Sequence, residues 1–296
     1  MFTQMHNMDD PEIFKQMGAK KGINKFGKQA LDALMKEFTQ LVNMNVFNGI
    51  DPKQLTAHQK KEALQTIGLI KLKRDLKMKG RVIADGRPQR EKYDKTQRSS
   101  ATCHHDSLML SLLIDAWEKR CVGTGDVPGA YLHALMKDFT LIKIEGESVD
   151  ILCRIKPNYD NCAVIENGKR VLYLRLNKAL NGCVKSALLW YELFANTLKD
   201  MGFEINPYNM CVANKKINDK QCTIVWYVDD IKVSHEEETV VKDIMEKIYG
   251  VFGGLDIKIG KEQTYLGMDM KFNDDQTVSI KMEDYINEVI STFDNI

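Results

Sequence analysis

The sequence lacks the features that define several protein classes. No run of about 20 apolar residues is present, so no membrane-spanning helix is predicted. The first residues do not place an apolar segment after a basic one, as a secretory signal peptide does. With 19 glycines and 6 prolines among 296 residues, the chain is not collagen-like. A soluble, intracellular globular protein with no membrane partner is therefore predicted.

Cysteine chemistry is also excluded as the basis of the fold. The seven cysteines form an odd set without a C-x-x-C pair, which supports neither a disulfide framework nor a zinc ribbon. Residues 103–106 read Cys-His-His-Asp, but four consecutive residues cannot easily surround one tetrahedral ion. We therefore predict reduced thiols and no zinc site.

Charge is balanced overall but unevenly distributed. The formal net charge is +1, yet residues 1–100 carry 20 Lys and Arg against 11 Asp and Glu, and the remainder carries 22 against 30. Residues 71–98 alone have a balance of +7. A basic stretch combined with an acidic remainder is typical of a nucleic-acid or polyphosphate site that holds metal through carboxylates. A solvated, lysine-rich hairpin is the alternative interpretation.

Hydrophobic spacing predicts an α+β fold with mostly antiparallel strands, because strands and helices do not alternate regularly. Residues 1–26 show no clear period, 130–135 fit a short helix, and 158–161 fit a polar loop. Helices are predicted at 27–46, 105–119, 184–200, 237–252 and 284–293. Strands are predicted at 67–73, 81–84, 121–126, 141–144, 172–176, 223–228, 231–233, 265–271 and 278–281.

Two consecutive aspartates, Asp229 and Asp230, interrupt an apolar segment. Within a continuous buried strand one of them would point into the core, whereas at a hairpin turn both can approach one exposed site. Asp126 ends another short strand, in which Gly123 and Gly125 are expected to add flexibility. Clustered carboxylates suit divalent cations, and two such ions about 3.5–4 Å apart can promote phosphoryl transfer. Ordinary turn aspartates are the alternative.

These strings resemble the reverse transcriptases of copia-type retrotransposons. YVDD at 227–230 resembles the catalytic turn of that family, and GDVPGAYLHA at 125–134 resembles its first-aspartate motif. Three further segments follow the order of the family: the basic hairpin 70–89, the Leu-x-Lys-Ala-Leu-x-Gly segment 176–194 and YLGMDMKF at 265–272. The resemblance covers roughly residues 27–290.

The resemblance implies an RNA-directed DNA polymerase with the right-hand fold. Palm and fingers are expected, with an antiparallel palm sheet packed on helices and a truncated thumb. The expected segments are a flexible N-terminus (1–26), fingers with an N-terminal helix and the basic hairpin (27–120), a palm that includes part of the fingers (121–270), and the start of a thumb or connection (271–296).

The resemblance also implies the catalytic residues. Asp126, Asp229 and Asp230 would carry two Mg²⁺ ions, with Mn²⁺ as an alternative metal. Asp126 and Asp229 are the expected direct ligands, and Asp230 has a supporting role. The main-chain carbonyl of Val127 would complete one metal shell.

The residues implied to bind deoxynucleoside triphosphate lie in the fingers hairpin and after the first aspartate. Lys73 and Arg81 would bind the triphosphate, and Arg74 is the alternative to Lys73 because sequence does not fix hairpin register. Tyr131 would lie under the incoming sugar and select deoxynucleotides, or be a core aromatic.

Template and primer residues are implied by two further motifs. Asn181, which is also implied to bind dNTP, and Gly182 would lie near the templating base pair, or form a plain turn. Tyr227 would support primer positioning, or simply pack, and packing is the favoured interpretation for its neighbour Trp226.

The expected partners are an RNA or DNA template-primer, dNTP, and other Pol segments such as ribonuclease H and integrase, or a second copy of the chain. Copia-type replication implies a cytoplasmic retroelement particle, with the nucleus as an alternative. Because only 26 residues follow Met270 and no ribonuclease H segment is present, a truncated, non-catalytic remnant that binds nucleic acid or a partner subunit is the alternative function. A metal-dependent nuclease is a third interpretation.

Overall fold

The computed structural model describes residues 16–72 and 77–293, except for the side chains of residues 288 and 291–293. The chain forms two compact units, and each is built from two separate stretches. The first unit comprises Met1–Ser99 and Tyr131–Leu189, and the second comprises Ser100–Ala130 and Trp190–Ile296. The sequential division into fingers, palm and thumb segments remains a prediction. Lys73 and Arg74 lie outside the described residues.

Helices and strands of both units are numbered along the chain. The helices are α1 (Ala19–Phe26), α2 (Lys28–Asn43), α3 (Ala57–Glu62), α4 (Lys95–Arg98), α5 (His105–Trp117), α6 (Glu147–Ile155), α7 (Ser186–Asp200), α8 (Glu238–Phe252) and α9 (Glu283–Phe293). The strands are β1 (Met17–Gly18), β2 (Phe47–Gly49), β3 (Leu64–Leu72), β4 (Met78–Ala84), β5 (Cys121–Asp126), β6 (Leu141–Glu145), β7 (Ala163–Glu166), β8 (Lys169–Leu176), β9 (Glu204–Ile205), β10 (Val212–Ile217), β11 (Lys220–Tyr227), β12 (Asp230–His235), β13 (Asp256–Ile259), β14 (Glu262–Tyr265), β15 (Met268–Phe272) and β16 (Val278–Lys281). None of the described helices is long and apolar enough to cross a membrane.

The first unit is built on a seven-stranded sheet. Strands β1-β3-β6-β8-β2 lie in that order, β4 pairs with β3, and β7 pairs with β8. The β3–β6 pair is parallel and the other pairs are antiparallel. Helix α2 buries Leu34, Phe38 and Leu41 in the core of this unit. It approaches β4 so closely that a Cβ on Gly80 would lie 2.6 Å from the main-chain oxygen of Ala33.

The second unit contains a six-stranded antiparallel sheet in the order β13-β5-β12-β11-β10-β9 and a three-stranded sheet, β14-β15-β16. Helix α8 packs on β5 where the two glycines lie. A Cβ on Gly123 would lie 2.8 Å from Val241 Cγ1, and one on Gly125 would lie 2.9 Å from Met245 Cε. The expectation that these glycines add flexibility is therefore replaced by a packing role: they let α8 approach the strand that carries Asp126.

A further core of the second unit lies between α5 and the small sheet. Leu108 and Leu112 of α5 pack with Val225 of β11, and Tyr265 and Met270 of the small sheet complete this cluster. Strand β11, which leads into Asp229 and Asp230, is thus supported by apolar side chains that come from distant parts of the sequence. This burial stabilises the unit by roughly 25 cal/mol per Å² of apolar surface removed from water.

The predicted α+β class with mostly antiparallel strands is confirmed, and several local predictions need correction. The predicted helix 27–46 ends at Asn43, and α1 precedes it. Residues 158–161, predicted as a loop, lie in a 3₁₀ helix, Pro157–Cys162, and a 3₁₀ helix at Ala130–His133 replaces the predicted short helix. The single strand predicted at 265–271 is wrong, because a turn at Leu266 (φ 50°) and Gly267 (φ 77°) divides it into β14 and β15.

Candidate catalytic carboxylate site

Strand register places the motif aspartates on neighbouring strand ends. Asp126, the last residue of β5, is the direct antiparallel partner of Asp230, the first residue of β12. Directly paired residues project to the same face of a sheet with Cβ atoms about 4.5–5.5 Å apart. Asp229 immediately precedes Asp230 in the turn that joins β11 to β12. The structure therefore brings together three aspartates that lie about a hundred residues apart in sequence.

The backbone of the turn is strained, and hydrogen bonds from residues outside the turn stabilise its conformation. Val228 has φ 58°, in the left-handed region that a β-branched residue rarely adopts. The main-chain amide of Val127, just after β5, donates to the carbonyl oxygen of Asp229 at 2.9 Å. The indole Nε1 of Trp190 in α7 donates to the carbonyl oxygen of Val228 at 2.7 Å. Such strain persists only where surrounding contacts determine the conformation, as they do here.

Electrostatics at the site favour a cation. Burial, and to a smaller extent the negative charges of Asp229 and Asp126, together raise the pKa of the Asp230 carboxyl to about 6. Asp126 is exposed and the other two are partly exposed. The carboxylates are thus close enough to repel one another, which a bound positive charge would relieve.

This pKa predicts an unusual pH dependence of stability in metal-free protein. The folded-state pKa of Asp230 lies above the ordinary aspartate value of 3.8, so the folded state binds more protons between pH 4 and 6 and stability falls as pH rises through that window. Asp230→Asn should raise the free energy of unfolding at pH 7.5 by about 1–2 kcal/mol. A pKa shift corresponds to about 1.4 kcal/mol per unit, and we lower the expected gain because the carboxyl is partly exposed to solvent. It should give no such gain at pH 4. Urea unfolding in EDTA measures the stability of both proteins at each pH. An equal gain at pH 7.5 and pH 4 would contradict a raised pKa for Asp230.

The donor set fits a hard divalent ion. Mg²⁺ prefers oxygen and is usually held by one or two carboxylates together with substrate phosphates. The three aspartates and the carbonyl oxygen of Val127 are oxygen donors only. In the side-chain conformations present, no three His, Cys, Asp or Glu residues of the described chain form a group that could hold a metal ion. The residues that would bind Mg²⁺ are therefore adjacent in the sheet, but their carboxylate groups do not converge on one point in this structure.

A fourth aspartate extends the row, and sequence reasoning missed it. Asp256 begins β13 and is the direct partner of Asp126 on the side opposite Asp230. Asp230, Asp126 and Asp256 thus form one row across three adjacent strands. The alternating pattern of residues 255–259 was the available signal, but it is too short to predict a strand or its register.

The two aromatic residues before the turn, Trp226 and Tyr227, differ in their exposure to solvent. Trp226 is 1% exposed and its ring lies 5.4 Å from that of Phe194, so the predicted packing role is confirmed. Tyr227 is 39% exposed and pairs with Asp230 in the register of the hairpin. Its side chain therefore lies at the surface beside the aspartates, and its role toward a primer remains a prediction.

The other candidate residues that the structure describes lie in the first unit. Arg81 is exposed on β4, opposite Leu69 of β3. The amide of Ala84, at the end of β4, donates to the carbonyl oxygen of Asn181 at 2.8 Å. Tyr131 is partly buried in the 3₁₀ helix Ala130–His133.

Gly182 lies in a close backbone contact that only glycine allows. Its φ is 92°, and a Cβ there would lie 2.0 Å from the carbonyl oxygen of Ala84. A Cβ on Gly86 would lie 2.1 Å from the carbonyl oxygen of Gly182. These two glycines line a cavity of about 420 Å³ together with Val184 and the three arginines Arg87, Arg90 and Arg98. Sequence reasoning did not single out this basic cavity.

Comparison with known proteins gives an independent result. Residues 58–295 match the family described as "Reverse transcriptase (RNA-dependent DNA polymerase)". The Saccharomyces cerevisiae transposon Ty1-GR3 Gag-Pol polyprotein is 26% identical over 275 residues, and the Ty1-DR4 polyprotein is 25% identical over 267 residues. Each match covers 88% of this chain and 14–15% of the relative, so the chain spans about one seventh of the length of these relatives.

Two solved structures are among those similar to this chain. A foamy viral protease–reverse transcriptase in complex with double-stranded DNA is 17% identical with a TM-score of 0.48, covering 97% of this chain and 38% of that one. Telomerase from Candida albicans in complex with a fragment of telomeric RNA is 11% identical with a TM-score of 0.44, covering 87% of this chain and 52% of that one.

The family match covers most of the chain and includes every motif aspartate, which the strand register brings to one sheet edge. The α+β class predicted for a polymerase palm and fingers agrees with that match. The chain therefore belongs to the reverse transcriptase (RNA-dependent DNA polymerase) family, within its Ty1/copia-type retrotransposon branch.

Proposed function

We propose that this chain is an RNA-directed DNA polymerase domain that transfers deoxynucleotides from dNTP to a primer 3′-hydroxyl with two Mg²⁺ ions. The observation that carries the proposal is the pairing of Asp126 with Asp230, beside Asp229, at an open strand end. Carboxylates arranged in this way on a rigid sheet suit metal-assisted phosphoryl transfer. Cytoplasmic retroelement particles are the proposed location.

The chain supplies the metal ligands and keeps them in place. Asp126 and Asp229 are the proposed direct ligands, Asp230 supports them, and the Val127 carbonyl completes one shell. The hydrogen bond from the Val127 amide to the Asp229 carbonyl joins the two ligand-bearing segments, so the position of Asp229 follows that of β5. When bound, Mg²⁺ supplies Lewis acidity and stabilises the charge on the attacking and leaving oxygens.

Positive charge in the first unit supports a nucleic-acid and triphosphate substrate. Arg81, with Lys73 or Arg74, is proposed to bind the triphosphate, and Tyr131 to select the deoxyribose. The cavity of Arg87, Arg90 and Arg98 beside Gly182 is proposed to bind template phosphates, because arginine forms paired hydrogen bonds with phosphate oxygens. Arg87 is exposed and already paired with Asp85 at 2.6 Å, so this pair is one interaction that a phosphate would have to compete with. Asn181 is proposed to bind dNTP beside the templating base pair, and Tyr227 to contact the primer strand.

Primer extension tests the proposal directly. Purified protein with an oligo(dT) primer on poly(rA), dTTP and Mg²⁺ should lengthen the primer, and Mn²⁺ should also support extension. Binding of the template-primer without extension, with the steep salt dependence of phosphate contacts, would overturn the polymerase and favour a binding-only protein. Shortening of labelled template without extension would instead favour a nuclease.

A further inference from the structure

The backbone of the catalytic turn is fixed by donors from three different elements. Three consecutive carbonyl oxygens, those of Val228, Asp229 and Asp230, each lie within hydrogen-bond distance of a donor. Trp190 and Val127 supply the first two, as described above. The third donor is the hydroxyl of Tyr265, the last residue of β14, which begins the YLGMDMKF segment but had been given no role.

Tyr265 is built to make this contact. Its side chain is 3% exposed and packs in the cluster between α5 and the small sheet. Its hydroxyl lies 3.3 Å from the carbonyl oxygen of Asp230 in β12 and 3.3 Å from that of Val225 in β11. Because both neighbours are carbonyl acceptors, the hydroxyl is the donor in either contact.

The two acceptors lie on the two strands that flank the turn. Val225 precedes the turn and Asp230 follows it, so one hydroxyl contacts both strands of the hairpin close to the turn. This hairpin needs such support, because Val228 adopts a strained φ of 58° and two like charges lie at its tip. A hydroxyl fixed by a packed ring limits separation of the two strands at the residues that carry the carboxylates.

We infer that Tyr265 is a positioning residue that holds the β11–β12 hairpin, and with it Asp229 and Asp230, in the geometry that metal binding and nucleotide transfer require. The inference rests on the proposed polymerase function. Tyr265 acts through the main chain of the catalytic turn and does not itself touch the reacting groups.

Tyr265→Phe is the direct test because it deletes only the hydroxyl. We expect kcat for primer extension to fall about three- to tenfold, the size expected for loss of one hydrogen bond, with KM for dTTP unchanged within twofold. The Mg²⁺ concentration for half-maximal rate should rise several-fold. Hydrogen exchange of metal-free protein should speed up in a peptide covering residues 226–232 and not in α2.

Tyr159→Phe is the matched control. Tyr159 is 4% exposed, and its hydroxyl also donates to a main-chain carbonyl, that of Phe47 at 3.2 Å, but it lies in the first unit. Both variants lose one buried tyrosine hydroxyl, so both should lose comparable thermal stability, and only Tyr265→Phe should change kcat and the Mg²⁺ dependence.

The outcomes separate this inference from the proposed function. If Tyr265→Phe keeps wild-type kcat, Mg²⁺ dependence and exchange at 226–232, the residue is merely structural and the inference is overturned. If wild-type protein extends no primer, the proposed function fails. Faster exchange at 226–232 would then still support the hairpin restraint, and unchanged exchange would reject it.

Discussion

Replacing Asp229 with asparagine should reduce primer extension by about a thousandfold or more. The substitution removes a negative charge from the proposed metal site. A bound metal stabilises the transition state by several kcal/mol, and a loss of about 4 kcal/mol lowers the rate about a thousandfold. The fold should survive, because the contact that holds this residue is its main-chain carbonyl with the Val127 amide, which asparagine keeps. Steady-state extension on poly(rA)·oligo(dT) and circular dichroism measure the two effects.

Asp219→Asn is the matched control for this variant. Asp219 also lies in a hairpin turn of the second unit, between β10 and β11, and its side chain is 95% exposed and pairs only loosely with Lys216 at 3.4 Å. It should retain wild-type extension, because it is remote in register from the Asp126–Asp230 pair. Extension by Asp229→Asn within tenfold of wild type would reject the assigned role of Asp229.

The largest stability effect should come from a buried ion pair between strand β12 of the six-stranded sheet and helix α5. Lys232 of β12 is 0% exposed and pairs with Asp115 of α5, which is 1% exposed. Arg120, also buried, lies 3.8 Å from Asp115 and donates to Thr223 at 3.1 Å. Asp115→Ala would leave the ammonium group buried without its carboxylate, which typically costs about 3–5 kcal/mol.

Two variants make this prediction specific. Asp115→Leu combined with Lys232→Met should recover most of the lost stability, because an apolar pair of similar volume often replaces a buried ion pair at little cost. Glu238→Ala removes the partner of Lys242 in an exposed pair on α8 and should cost less than about 0.5 kcal/mol.

Tryptophan fluorescence suits the measurement, because all three tryptophans (117, 190 and 226) lie in the second unit. Urea unfolding followed in this way reports that unit. A loss below 1 kcal/mol for Asp115→Ala would show that the pair contributes little.

The sequence predicts a strand or hairpin correctly where the residues that define it are close together in the chain. The predicted bounds of strand β5 match those observed, because Asp126 ends the segment and Val127-Pro128-Gly129 breaks it. The β11–β12 hairpin was predicted because two apolar runs flank the aspartates. The basic hairpin was also predicted, although β3 begins three residues earlier, at Leu64.

Other features depend on tertiary contacts that the sequence does not encode locally. The division of 265–271 into two strands rests on positive φ at Leu266, a residue that seldom marks a turn. The row that includes Asp256 depends on register between strands distant in sequence. The sequence around Lys232 gave no indication that its side chain would be buried, because its partner Asp115 lies 117 residues away.

The order in which the chain is synthesised has a consequence for the carboxylate row. The first unit ends at Leu189, so all of its residues are synthesised before β12 and β13. Strand β5 emerges about a hundred residues before both of its pairing partners, which at about 5–20 residues per second is roughly 5–20 s. During that interval both edges of β5 lack their native neighbours, and unpaired edges favour association with other chains. Nascent protein is therefore most prone to aggregate in this window, and slower translation after Asp126 should lower its soluble yield.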